Sequence, residues 1–197
     1  MKTRLFTTII LFFLLQSCNA VQINESGYRS LNYMKNLHVK PFKTVNNYTT
    51  YNQGDNKYIF KIDSKEILET AKNNQYTWLH TWLPYCPSDN CQNITPYKSL
   101  ASDYKDKGLK TLFTSATYDF KYIFNITENS NFNLPIHVLD GEYYGYKNKK
   151  IRLKLYKDLN IEAKEDDYIF HEDYVFKGDS LVFMGEITDS ILDKLIK

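Results

Sequence analysis

Apolar and polar positions switch between two periods along most of this chain, and the switches mark its elements. Residues 57–62 form a strand pattern. Asp63-Ser64-Lys65-Glu66 is then a capping-box pattern, opening a helix that carries Ile67, Leu68 and Ala71 and is closed by Asn73 and Asn74. Residues 76–82 are an aromatic, β-rich run with no helical spacing, long enough for a buried central strand. A loop holding Pro84, Pro87, Ser88, Asp89 and Asn90 leads into a helical stretch over 92–107, which Gly108 ends as the residue after the cap. The pattern then predicts a strand over 109–115 and a helix over 118–125 with Phe120, Ile123 and Phe124 on one side. A short strand over 135–140 follows, and a helix over 151–159 running through Leu153, Leu155, Tyr156 and Leu159. Residues 168–176 and 180–184 form two strands around the turn Lys177-Gly178-Asp179, and 187–196 is a terminal helix. This order predicts an α/β domain, a mixed sheet with helices on both faces.

The first residues follow a different rule. Lys2 and Arg4 precede an apolar run over 5–15. That run falls short of the roughly 20 residues of a transmembrane helix and suits the apolar stretch of a secretory signal. It ends at Leu15-Gln16-Ser17-Cys18, which resembles a bacterial lipobox. The resemblance implies a lipoprotein signal peptide over 1–17, acylation of Cys18, and a lipid-anchored protein on a membrane surface of the cell envelope. Asn19-Ala20-Val21 after the cysteine form no acidic cluster that would mark surface display, so the anchor is expected to face the periplasm. The alternative is a plain secretory signal with a chance cysteine. Residues 18–56 are polar, without a sustained period, and read as a tether with at most a short strand near 39–45. The domain proper is expected over 57–197.

Composition narrows the function classes. A chain of 197 residues allows one domain of ordinary size, and 43% hydrophobic with 24% charged residues excludes general disorder. Only 7 glycines and 5 prolines argue against linker-rich architecture. The formal net charge of +2 sits in Lys2 and Arg4, so the chain beyond them is balanced and nothing favours a nucleic-acid partner. Once Cys18 is acylated, Cys86 and Cys91 are the remaining thiols, and thiol pairs in exported proteins are usually oxidised. Sequons at Asn24, Asn47, Asn93 and Asn125 are expected by chance in a chain this rich in Asn and Thr.

Thr81-Trp82-Leu83-Pro84-Tyr85-Cys86-Pro87, followed by Cys91 and Pro96, resembles the active-site region of the thioredoxin-like fold, in its membrane-tethered TlpA-like and redoxin branch. In that family a tryptophan stands four residues before the first cysteine, an aromatic residue often just before it, and a proline five residues after the second. Trp82, Tyr85 and Pro96 fill those places. The resemblance extends over 57–197 and implies a thioredoxin-like mixed sheet, thiol-disulfide exchange through Cys86 and Cys91, and protein clients. Trp82, Pro84, Tyr85, Pro87 and Pro96 would surround the site. Nothing in the resemblance or the motifs asks for a cofactor or a metal.

Two departures weigh on this chemistry. The family separates its cysteines by two residues, whereas four residues separate Cys86 from Cys91. A five-residue step on a regular helix turns a net 140° or so and rises about 7.5 Å, so the two sulfurs meet only if the segment is a loop. The family also faces its cysteines with a cis-proline before the hairpin. Pro135 is one match for that place, and segment order prefers Glu172-Asp173, where there is none. Cys86 is the expected nucleophile at a helix N-terminus and Cys91, in or beside the first turn, the resolving thiol. The alternative is a redox-inactive binding or structural lipoprotein with a static Cys86–Cys91 disulfide. Weaker candidates complete the picture. His80 is expected as a satisfied core histidine rather than a proton shuttle, His171-Glu172-Asp173 as a polar strand edge rather than a metal site, and the bases between Lys147 and Lys157 as a solvated helix face rather than a contact to lipid headgroups.

Overall fold

A computed structural model describes residues 38–42, 58–82, 94–115, 117–162 and 173–196. Seven strands are described: β1 (Val39–Lys40), β2 (Ile59–Ile62), β3 (Tyr76–Trp82), β4 (Leu109–Ser115), β5 (Ile136–Leu139), β6 (Asp173–Lys177) and β7 (Ser180–Gly185). The helices are α1 (Ser64–Lys72), α2 (Thr95–Lys105), α3 (Phe120–Asn129), α4 (Gly141–Tyr144), α5 (Asn148–Asp158) and α6 (Asp189–Leu195). The strands form one sheet in the order β1-β2-β5-β4-β3-β6-β7. Pairing is parallel from β1 through β3 and antiparallel at β6 and β7.

Helices cover both faces, as the alternating pattern predicts. On one face α2, α3 and α6 bring Tyr97, Ala101, Ile123 and Leu192 against Trp78, Trp82, Phe113 and Val175. On the other, α1 and α5 bring Ile67, Ala71, Leu155 and Tyr156 against Leu79, Leu112, Leu139 and Phe176. Every residue of β3 is buried, because strands flank it and helices lie above and below. The expected short strand near residue 39 is present as β1, and Val39 pairs with Ile59, so the sheet starts inside the segment read as a tether.

Local chemistry sets the boundaries. Asp63 accepts the Glu66 amide at 2.9 Å while the Glu66 carboxylate accepts the Asp63 amide at 3.0 Å, the reciprocal capping box that starts α1. Gly108 has φ +83, a left-handed backbone in which a side chain is strained, so glycine is favoured where the chain turns from α2 into β4. Helix α2 begins at Thr95, not at the expected residue 92. Pro96 explains the difference: a start at Gln92 would set its ring against the Gln92 carbonyl and omit one helical hydrogen bond, whereas as the second helical residue it needs no partner.

In α5 the charge pattern misleads. Arg152 is 3% exposed, with its guanidinium carbon 5.5 Å from the Tyr156 ring centre, whereas Leu153 is 39% exposed. The expected solvated face thus lacks Arg152, which shares the inward stripe with Leu155, Tyr156 and Leu159 at helical spacing.

A buried histidine sets an acid limit on this core. His137 on β5 donates Nδ1–H to the Phe113 carbonyl at 3.0 Å, and burial, with a smaller push from Lys110, lowers its pKa to about 4. A histidine lowered from its ordinary 6.5 binds its proton in the unfolded chain first. Its contribution is therefore intact above pH 6.5 or so and is lost as pH falls towards 4, on the order of 3 kcal/mol in all. Urea midpoints at about pH 7 and pH 4.5 should show this loss in the wild type and a smaller one in His137→Asn, whose amide can occupy the Nδ1 donor position without titrating. Equal acid sensitivity in both would remove His137 as the cause.

Candidate functional site

The parallel strands end together at Trp82 on β3, Ser115 on β4 and Leu139 on β5. Open α/β sheets place their sites beyond such carboxyl ends. The chain leaves β3 at Trp82 and re-enters the described structure at Ile94, both buried, so residues 83–93 begin and end at this rim. Pro84, Tyr85, Cys86, Pro87 and Cys91 belong to that segment and lie outside the described residues, as does Cys18. Of the residues expected around the cysteines, Trp82 and Pro96 are placed. Trp82 packs in the core on the α2 face, and Pro96 stands in the first turn of α2.

The first turn of α2 is Thr95, Pro96, Tyr97 and Lys98, so neither cysteine belongs to it. Cys91 is thus not in the turn itself, and its place beside the turn lies outside the described residues. Ile94, the cap residue, contributes no side-chain cap, and the turn carries no acid. No carboxylate within the helix's own first turn offsets the positive end of its dipole.

Beneath the rim lies a polar cluster in an otherwise aromatic core. Period-2 alternation puts Trp78, His80 and Trp82 on the same face of β3, under α2. The antiparallel register sets His80 opposite Asp173, the first residue of β6. Asp173 Oδ1 accepts from Trp78 Nε1–H at 2.7 Å and from His80 Nδ1–H at 2.6 Å, and Oδ2 accepts the Ile187 amide at 2.8 Å. The Tyr97 ring covers His80 at 4.0 Å between centroids. Burial first, then the charges of Asp173 and Glu186, push the Tyr97 phenol up to about 12, so it stays protonated across the range in which thiols ionise.

His80 is thus the core histidine expected, held by a carboxylate. Asp173 is a correction: it is 2% exposed and belongs to the core rather than to a polar strand edge. Its neighbours His171 and Glu172 lie outside the described residues. The topology also decides between the two matches for the proline position. Pro135 precedes β5, which β4 separates from β3, whereas β6 lies directly against β3 and begins at Asp173. Asp173 therefore lies opposite His80, two residues before β3 ends, on the strand that segment order prefers.

The strand β5, with α3 before it, was visible in the sequence, but the short helix α4 was not. Asp140 starts α4 by accepting the Glu142 amide at 3.0 Å, the one signal that would have found it.

No family model matches the chain, and no curated protein does. Among solved structures it is similar to the thioredoxin domain of a thiol-disulfide oxidoreductase from Bacteroides vulgatus, at 16% identity and TM-score 0.46 over 66% of this chain and 84% of that one. A thioredoxin-family thiol:disulfide interchange protein from Chlorobium tepidum has 10% identity and TM-score 0.47, over 65% of this chain and 81% of its own. A thiol-disulfide oxidoreductase from Bacteroides fragilis has 16% identity and TM-score 0.44, over 61% and 79%. In the chain's own connectivity β3 is central, β4 lies parallel beside it across α2, and the antiparallel β6–β7 hairpin with α6 lies on the other side. That arrangement, widened beyond β4 by β5, β2 and β1, is a thioredoxin-like fold.

Proposed function

We propose that this chain is a lipid-anchored protein of the bacterial cell envelope that exchanges disulfides through Cys86 and Cys91, facing the periplasm and acting on protein thiols. The observation that carries the reading is the place of the cysteine segment, inserted between the central strand β3 and the uncapped N-terminus of α2. In the reducing direction the Cys86 thiolate attacks one sulfur of a client disulfide, forming a mixed disulfide and releasing the other client sulfur as a thiolate. The Cys91 thiolate then attacks Cys86 Sγ and releases the second client thiolate. The client gains two electrons and, from solvent, two protons, and the chain is left with a Cys86–Cys91 disulfide. Turnover of the full chain with dithiothreitol and insulin, against a control without protein, tests the reading; a rate equal to the control would sink it.

One observation favours a second reading, a redox-inactive binding protein with a static bridge. Helix α2 starts at Thr95, four residues after Cys91 and nine after Cys86, so neither thiol belongs to the first turn, where the helix dipole acidifies a thiol most. Alkylation of thiols before and after reduction separates pairing from reactivity. The static reading expects no free Cys86 or Cys91 in protein taken from the envelope, and two freely alkylating thiols would count against it, whereas the reducing direction needs the pair reduced before it meets a client.

The anchor has its own support and test. No described helix is long and apolar enough to cross a membrane, and the lipobox-like residues up to Cys18 supply the attachment. Mass spectrometry of the mature N-terminus should find a diacylglyceryl group on Cys18; an unmodified start at another residue would end the claim.

A further inference from the structure

At the opposite end of the sheet from the cysteine segment, β4 and β5 do not run side by side along their whole length. Pairing between them begins at Phe113 and Ile136, so Leu109, Lys110, Thr111 and Leu112 pair with β3 while the chain before β5 stands away from them. Two residues hold this gap open. Pro135 directly precedes β5 and has no amide to continue the ladder. Gly108, in its left-handed turn, sets the start of β4.

The gap is a cavity of about 330 Å³. Its apolar wall includes Ala101 from α2, Leu109 from β4 and Leu134 from the segment before β5; its basic groups are Lys105, Lys110 and His137, and among the described residues no acid lines it. We propose that this notch binds a small organic carboxylate with an apolar chain or ring. The volume is at the lower end of the range for small-molecule sites. The apolar wall accounts for the body of such a ligand, and the two lysines account for its charge. Burial, and then the ammonium of Lys105, push Lys110 down to about 8. A bound carboxylate would offset both effects, since it favours the charged lysine and screens the two cations from each other. His137 is held neutral near pH 7 and contributes ring surface rather than charge. The notch opens where β4 begins, and neither Trp82 nor Ile94, the described residues on either side of the cysteine segment, lines it.

The test titrates the full chain with octanoate, with 1-octanol and with inorganic phosphate, following backbone amide shifts of residues 108–112 and heat of binding. Octanoate should bind with a dissociation constant below about 1 mM, and octanol at least about tenfold more weakly. Lys110→Met should weaken octanoate by about tenfold or more and leave octanol unchanged. Its urea midpoint, measured alongside, shows that the variant is folded. Lys105→Ala should give a smaller loss in the same direction. Equal binding of octanoate and octanol would reduce the notch to an apolar crevice and overturn the proposal. So would phosphate binding as tightly as octanoate, which would mark a surface basic patch, or no shift with octanoate near 1 mM. None of these results depends on insulin turnover, so the notch and the redox reading can fail separately.

Discussion

Asp173→Ala should cost on the order of 4 kcal/mol of folding stability, a large share of the roughly 5–15 kcal/mol that holds a domain of this size. The expectation follows from what the carboxylate does. Its two oxygens serve three donors in the core, the Trp78 indole, the His80 imidazole and the Ile187 amide. Alanine removes all three acceptor contacts at once. Water cannot replace them readily, since Trp78 and His80 are fully buried. Each stranded buried donor carries a penalty of about 1–3 kcal/mol, only partly recovered by local relaxation. Asp173→Asn should be milder, about 1–3 kcal/mol, for a definite reason. Its single acceptor oxygen can take the Oδ1 place and keep Trp78 and His80, while its NH₂ then faces the Ile187 amide donor. Urea unfolding followed by tryptophan fluorescence tests the order, Ala below Asn below wild type. A loss under about 1 kcal/mol for Asp173→Ala would mean that the three donors find other partners.

The same residue shows why part of the site was not legible in the sequence. His171-Glu172-Asp173 looks like a polar edge because its neighbours along the chain are polar. Its burial comes from pairing across 93 residues with His80, and local pattern contains no such information. Elements whose signals are local were legible. The capping box gave the start of α1, Gly108 gave the turn after α2, and Lys177-Gly178-Asp179, with Gly178 at φ +57, gave the β6–β7 hairpin. The start of α2 was misplaced at residue 92, although Pro96 held the signal, since a regular helix begins just before such a proline. Arg152 falls between these cases. Its spacing with Leu155, Tyr156 and Leu159 is that of an inward stripe, and its charge argued against the position it takes. Long cationic side chains can bury their stems beside an aromatic ring, so position within the stripe outweighed charge.

Cys86→Ser should abolish insulin reduction by the full chain, and Cys91→Ser should stop turnover while accumulating mixed disulfides with clients through Cys86. The difference follows from position along the chain. Cys86 comes four residues after Trp82, where β3 ends at the rim, and Cys91 comes three residues before the cap of α2, on the side that returns into the core. In the proposed exchange Cys86 is the attacking thiol and Cys91 the resolving one. Loss of the attacking thiol removes the first step, so no adduct forms. Loss of the resolving thiol leaves the first step and removes the second, so the adduct persists until an external thiol releases it. The rate of the wild type should be low, because neither cysteine lies in the first turn of α2 and a thiol of ordinary pKa near 8.5 is only a few per cent ionised at pH 7. Raising the pH from 7 to 8.5 or so should therefore speed the wild type by about tenfold or more, as the Cys86 thiolate fraction rises. A pH-independent rate over that interval would show a thiol already ionised by its surroundings, and trapping through Cys86→Ser instead of Cys91→Ser would reverse the two roles. If neither variant traps a client and the wild type does not turn over, the static bridge is the remaining account of the pair.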